Sequence, residues 1–248
     1  MEIVVTNQNG VRELKLNRPE VFNSFNKAMA LSLQDELDKC ATDSSVRAVI
    51  ITGEGKAFCA GQDLAEATDP NGPELKSIVR DHYNPIILKI RELEKPVIAA
   101  VNGVAAGAGA NIALSCDITI AKSSASFIQA FSKIGLIPDS GGTFFLPRIV
   151  GVQKALALMM TADKVTPEEA EQMNMIYKSV EDDEFAGNIQ RPQRAGTADR
   201  SRIVDREYRR ALVLPDCHLW GIRSQHLETL RDPDRADCAA AAAADTAR

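Results

Sequence analysis

An α/β fold with a mostly parallel sheet is what this sequence predicts. Three short runs, Ala48–Thr52, Pro96–Val101 and Asp117–Ala121, are rich in β-branched and small apolar residues, as strands covered on both faces are. Stretches with apolar residues at helical spacing separate them. Strand, helix, strand in this order points to crossover connections and parallel pairing.

The elements follow in chain order. Glu2–Thr6 and Val11–Leu16 alternate apolar and polar residues around Asn9-Gly10, a hairpin signal. Asn26–Ala41 places Met29, Leu33 and Leu37 on one helical face. Ala48–Thr52 is closed by Gly53. A helical stretch over Leu75–Leu93 should break or bend at Pro85, which lacks an N–H. After the strand Pro96–Val101 comes a small-residue segment, Gly103–Asn111, then a helix-compatible Ile112–Ser115. Thr166-Pro-Glu-Glu169 has the layout of a capping box, with Pro167 suited to the first turn.

Composition narrows the function. Of 248 residues 45% are hydrophobic, and 29 Lys and Arg against 34 Asp and Glu leave a net charge of −5. A mildly acidic chain lacks the basic excess of a nucleic-acid binder. No apolar run approaches the roughly 20 residues that span a bilayer. Met1 leads straight into Glu2-Ile3-Val4-Val5 with no basic n-region, so the expected address is cytoplasmic. Cys40, Cys59, Cys116, Cys217 and Cys238 form no C-x-x-C pair, and His82, His218 and His226 are far apart. No metal site is expected, and the thiols read as packing residues.

Three segments could hold chemistry. Lys56-Ala-Phe-Cys-Ala-Gly-Gln-Asp-Leu64 is a small-residue turn after a buried strand, where a ligand can approach the backbone. Gly107-Ala-Gly109 can turn backbone N–H groups at a helix N-terminus toward a developing oxyanion. Ile112 stands where a dinucleotide fingerprint needs its third glycine. In Ile134–Thr143, Pro138-Asp139 before Gly141-Gly142 is a turn, and a turn Asp ordinarily bonds its own backbone. Asp139, however, lies between Leu136-Ile137 and Phe144-Phe145-Leu146, surroundings that raise a carboxyl pKa toward the range of a general base.

In this order and spacing the segments resemble the crotonase family, the enoyl-CoA hydratase/isomerase superfamily. The resemblance spans residues 1 to about 187. It rests on Asn17-Arg-Pro-Glu20, Asn23-Ser-Phe-Asn26, Phe58-Cys-Ala-Gly-Gln-Asp63, Pro96-Val-Ile-Ala-Ala-Val-Asn-Gly103 and Gly135-Leu-Ile-Pro138. It implies a spiral of ββα turns with C-terminal helices, packing into homotrimers or hexamers, and an acyl-CoA thioester substrate handled without metal or redox cofactor. The family's oxyanion hole of two backbone amides falls on Gln62 and Ala108. Phe22, Ser24, Ala60, Asp63, Leu64 and Gly109 then lie near the CoA ester.

The same resemblance separates reactions. Hydratases of the family use two glutamates; Asn111 and Phe131 stand at those positions here, and neither carries a proton usefully. Asp139 stands where isomerase members carry their carboxylate. Ala130–Gly142 most resembles the branch acting on epoxidised phenylacetyl-CoA. The expected function is an acyl-CoA isomerase that converts 1,2-epoxyphenylacetyl-CoA to oxepin-CoA and shifts 3-enoyl-CoA to 2-enoyl-CoA. Two other readings stand beside it: hydration or dienoyl isomerisation, and a non-catalytic acyl-CoA-binding product.

The last reading comes from the C-terminus. Residues 188–248 contain eleven Arg and no Lys, whereas residues 1–187 contain twelve Lys and six Arg. Six alanines, Ala239–Ala244, follow Asp237-Cys238. The sequence thus divides into a core domain, 1–187, and an atypical Arg/Ala-rich segment, 188–248. That segment reads as a shifted frame or spliced-in piece, or else as a natural helical appendage.

Overall fold

A computed structural model describes residues 1–189. The expectations for residues beyond 189, including the origin of the Arg-rich segment, lie outside the described residues. The hairpin forms as the sequence indicates: β1 (Ile3–Gln8) pairs antiparallel with β2 (Val11–Leu16). Asn9 and Gly10 both take positive φ, as a two-residue hairpin turn requires. Asn26 caps α1 (Lys27–Thr42) by accepting the Met29 N–H at 2.8 Å, and Met29, Leu33 and Leu37 are buried. β3 (Ala48–Gly53) lies parallel to β2 and is buried along its whole length.

From β3 onward the chain winds in a repeating pattern. Each long strand is followed at once by a short one in a second sheet. β3 leads to β4 (Ala57–Cys59), and after α2 (Leu64–Thr68), α3 (Leu75–Ser77) and α4 (Asn84–Glu92) comes β5 (Val97–Val101). β5 leads to β6 (Val104–Ala106) and α5 (Ala108–Ser115); β7 (Ile118–Lys122) leads to β8 (Ser126–Ile128). After α6 (Gly142–Val150) and α7 (Val152–Thr161) the chain adds β9 (Lys164–Val165), α8 (Pro167–Gln172), β10 (Lys178–Val180) and α9 (Phe185–Ile189). The larger sheet runs β1-β2-β3-β5-β7-β10 and the smaller β4-β6-β8-β9, with all pairs parallel except β1/β2 and β8/β9. This is the ββα spiral. The expected boundary at residue 187 falls inside α9.

Periodicity did not show the second sheet. Its strands are two or three residues long, too short for an alternating pattern, and they lie within segments that read as small-residue turns. Side-chain amides tie one spiral turn to the next. Asn102 Oδ1 accepts the Gly53 N–H at 2.9 Å, and its Nδ2 donates to Gly55 and Ala57 carbonyls. Buried Asn23 donates to the carbonyls of Glu54 and Ala57. The main core lies between the large sheet and α1, α4 and α5; a smaller cluster of Val11, Ile50, Ile98, Ile120, Val180 and Phe185 covers the opposite face.

The helical stretch at Leu75–Leu93 stays continuous to Glu92, and its distortion falls before the proline rather than at it. Ile78–Tyr83 winds as a wider π-type turn, and Pro85 sits in the first turn of α4. A proline cannot bond the carbonyl four residues back. Gln34 of α1 supplies the missing donor, its Nε2 reaching the carbonyls of Asp81 (2.9 Å) and His82 (3.0 Å). The wider turn carries Tyr83 into the interior, fully buried.

The capping box is present as read: Thr166 Oγ1 accepts the Glu169 N–H, and Glu169 Oε2 accepts the Thr166 N–H at 2.9 Å. Thr166→Ala is expected to cost about 1 kcal/mol. A melting curve should then shift down by about 2–4 °C.

Candidate active site

Two loop-to-helix junctions and one turn meet at the edge of the small sheet. The segment after β4 is stitched to residues 22–25: Ala60 N–H donates to Phe22, Phe25 N–H to Gly61 and Asp63 N–H to Phe25. Phe22, Ser24, Ala60, Asp63 and Leu64, far apart in sequence, are therefore neighbours. The side chains of Asp63 and Ser24 are engaged within the chain. Asp63 takes Arg18 Nη2 at 2.8 Å and caps α2 through the Ala65 N–H; Ser24 Oγ donates to the Val21 carbonyl.

Behind this segment stands the start of α5. A Cβ on Gly61 would lie 3.1 Å from the Ala106 carbonyl and 3.6 Å from the Ala108 nitrogen, so residues 60–62 run directly along the α5 N-terminus. Gly109 makes the approach possible: a Cβ there would sit 2.3 Å from the Cys59 carbonyl oxygen and 2.8 Å from its Sγ. The Ala108 N–H opens the helix and has no intrahelical partner. Within the described residues neither it nor the Gln62 N–H donates a hydrogen bond. Two free amides thus stand on adjacent segments.

A polar chain running outward from buried Tyr83 fixes the Gln62 side chain. Tyr83 Oη donates to Gln62 Oε1 at 2.8 Å, Gln62 Nε2 donates to Glu66 Oε2 at 3.0 Å, and Glu66 accepts the Lys27 N–H at the start of α1. Burial drives the Tyr83 phenol well above its usual pKa, with the nearby Asp139 charge acting in the same direction. The Cys59 thiol, fully buried, is pushed up to about 12 by desolvation. Its sulfur accepts the Gly61 N–H at 3.3 Å, a packing and turn-forming role. Cys40 and Cys116 are likewise buried free thiols, and no group of three metal-binding side chains occurs among the described residues.

Asp139 lies on the turn leading into α6. Asp139 is half-buried. Desolvation pushes its pKa up to about 6, against the opposing effect of the Ser140 hydroxyl donating to Oδ1 at 2.8 Å. Its backbone carbonyl accepts the Gly142 N–H, and also Nδ2 of Asn111 at 2.9 Å, one turn into α5 from Ala108. The Phe131 ring edge comes within 3.8 Å of a Cβ built on Gly107, beside the same helix start. Residues from four distant stretches, 22–25, 60–64, 107–111 and 139, are therefore gathered around the start of α5.

Tyr83 and Glu66 were not singled out by any sequence motif. Tyr83 lies within the stretch expected to be helical, and the widened turn before Pro85 brings its hydroxyl to Gln62.

Residues 6–202 match the family model described as enoyl-CoA hydratase/isomerase. The chain is 46% identical to the 1,2-epoxyphenylacetyl-CoA isomerase of Escherichia coli (strain K12), over 77% of this chain and 74% of the relative. It is 45% identical to a probable enoyl-CoA hydratase of Rhodobacter capsulatus, over 71% of this chain and 67% of the relative. Among solved structures, an enoyl-CoA hydratase from Bacillus anthracis superimposes with a TM-score of 0.75 at 33% identity, covering 78% of this chain and 75% of that one.

Proposed function

This chain belongs to the enoyl-CoA hydratase/isomerase family, and we propose that within it the chain is an acyl-CoA isomerase using Asp139 as its single proton-carrying group. Two relatives of nearly equal identity bear different reaction names, so the site residues select between them. The observation that carries the reading is the desolvated carboxyl of Asp139, its pKa pushed up to about 6; the family resemblance aligns Asn111 and Phe131 with the hydratase glutamates, and neither side chain carries a proton usefully. With one carboxylate there is no second group to take a proton from water while a carbon is protonated.

The proposed step begins with the thioester oxygen between the amides of Gln62 and Ala108. Asp139 removes a proton from C2 of a 3-enoyl-CoA, and the electron pair enters the conjugated dienolate. The proton returns at C4, giving the 2-enoyl thioester. Losing one such oxyanion donor typically costs ~3 kcal/mol of transition-state stabilisation. The principal substrate in this reading is 1,2-epoxyphenylacetyl-CoA, rearranged to oxepin-CoA, with the double-bond shift as a second activity. Phe22, Ser24, Ala60, Asp63, Leu64 and Gly109 line the CoA ester. No resident metal or redox cofactor takes part, and the chain works as a cytoplasmic homotrimer or hexamer. No helix among the described residues is long and apolar enough to cross a membrane.

Incubation with a cis-3-enoyl-CoA should yield the conjugated 2-enoyl thioester, and the enzymatically generated epoxide should yield oxepin-CoA. Asp139 must be ionised to act as base, so kcat/KM should rise with pH through a limb centred near 6, the pKa of the free enzyme's carboxyl being about 6. Hydration of a 2-enoyl-CoA without isomerisation of either substrate would overturn the reading.

A further inference from the structure

We propose that Asn111 is a positioning residue for Asp139, oriented in turn by Gln129. This inference rests on the reading of Asp139 as the base. Asn111 is fully buried in α5, and its side chain bridges two parts of the chain. Nδ2 donates to the Asp139 carbonyl at 2.9 Å, and Oδ1 accepts Nε2 of buried Gln129 at 2.9 Å.

The direction of this relay is forced. A backbone carbonyl only accepts, so Asn111 must present its NH₂ to Asp139. Its oxygen then faces Gln129, which must answer with its own NH₂. That leaves Gln129 Oε1 buried with no hydrogen-bond partner in the structure. An unpaired buried acceptor is costly, roughly 1–3 kcal/mol. A packing-only role for Gln129 would be filled more cheaply by an apolar side chain.

Gly142 shows how closely the pin is seated. A Cβ there would lie 2.3 Å from Asn111 Nδ2, so the α6 start is pressed onto the amide. Glutamate at position 111 adds a methylene against this wall and loses the donor. Position 111 is thus an occupied post that holds the Asp139 turn over the α5 N-terminus.

The test compares Asn111→Ala, Gln129→Leu and Asp139→Asn with the wild-type chain, reading kcat, KM and the pH profile on a cis-3-enoyl-CoA. A displacement of about 1 Å at a catalytic group costs on the order of 10²-fold. Asn111→Ala is expected to lower kcat by that order with KM within about threefold. Without the pin the turn moves toward water, so the acid limb should move down from about 6 toward the ordinary carboxylate range. Gln129→Leu should shift both quantities the same way by less, and it serves as the readout if Asn111→Ala does not fold. A limb that stays in place in the folded variants, whatever happens to kcat, overturns the positioning role. Asp139→Asn with wild-type turnover instead overturns the underlying base reading. Loss in Asp139→Asn with unchanged Asn111→Ala and Gln129→Leu sinks only this inference.

Discussion

Asp139→Asn is expected to lower isomerase turnover by about 10²–10⁴-fold, the usual contribution of a positioned acid–base group. The substitution keeps the shape of the side chain, and Ser140 Oγ, 2.8 Å from Oδ1, can still donate to the amide oxygen. Binding of a non-reacting CoA thioester should therefore change little, since the interaction lost belongs to the transition state. Single-turnover kinetics and a titration calorimeter separate the two. Activity above a few per cent of wild type would remove Asp139 from the mechanism.

The same substitution should stabilise the fold at neutral pH and above. The folded carboxyl titrates near 6 and the unfolded one near 3.8. Between those values the native state holds a proton that the unfolded chain has released, so stability falls as pH rises through this window and stays lower above it. Asparagine carries no such penalty. The melting temperature of Asp139→Asn should exceed that of wild type above pH 6 and converge with it below 3.8. A variant that is less stable than wild type at every pH would show that the carboxylate is not held against its own solvation.

Gly109→Ala should damage both stability and catalysis. A methyl group there would lie 2.3 Å from the Cys59 carbonyl oxygen, 2.7 Å from its Cβ and 2.8 Å from its Sγ. β4 cannot yield, because Ala57 and Cys59 are registered on β6. The first turn of α5 must therefore lift, carrying the Ala108 N–H away from that of Gln62. Overpacking of this kind costs about 1–3 kcal/mol. Melting should fall by up to about 10 °C for a chain of this size, and turnover should drop with it. Gly187→Ala is the control, since nothing lies within 4 Å of its Cβ position and its φ is not positive. It should melt no lower than wild type. Equal behaviour of the two variants would contradict the close approach of α5 to β4.

Much of the fold is carried by local chemistry. Asn9-Gly10 selects the hairpin, Asn26 and Thr166 start their helices, and the β-branched runs at 48–52, 96–101 and 117–121 become the parallel core strands. The small sheet was not legible, because strands of two or three residues leave no periodic trace and exist only through pairing with distant segments. Pro85 told where regular helix must fail. Which carbonyls it would free, and that Gln34 across on α1 would accept the duty, depended on helix packing.

For the site, the chemical inventory is already present in the linear chain: a carboxylate set among apolar residues, small residues that admit a ligand to the backbone, and no carboxylate at 111 or 131. Those are properties of residue type and short spacing. Packing of distant stretches sets the rest: Gln62 and Ala108 present free amides on adjacent segments, Tyr83 turns inward to hold Gln62, and Asn111 grips the turn bearing Asp139. These relations join stretches of chain as much as 46 residues apart, counted from Gln62 to Ala108. Hydrogen bonds at about 3 Å and glycine contacts tighter than a methyl group permit are set by how the spiral turns stack, which no local pattern encodes.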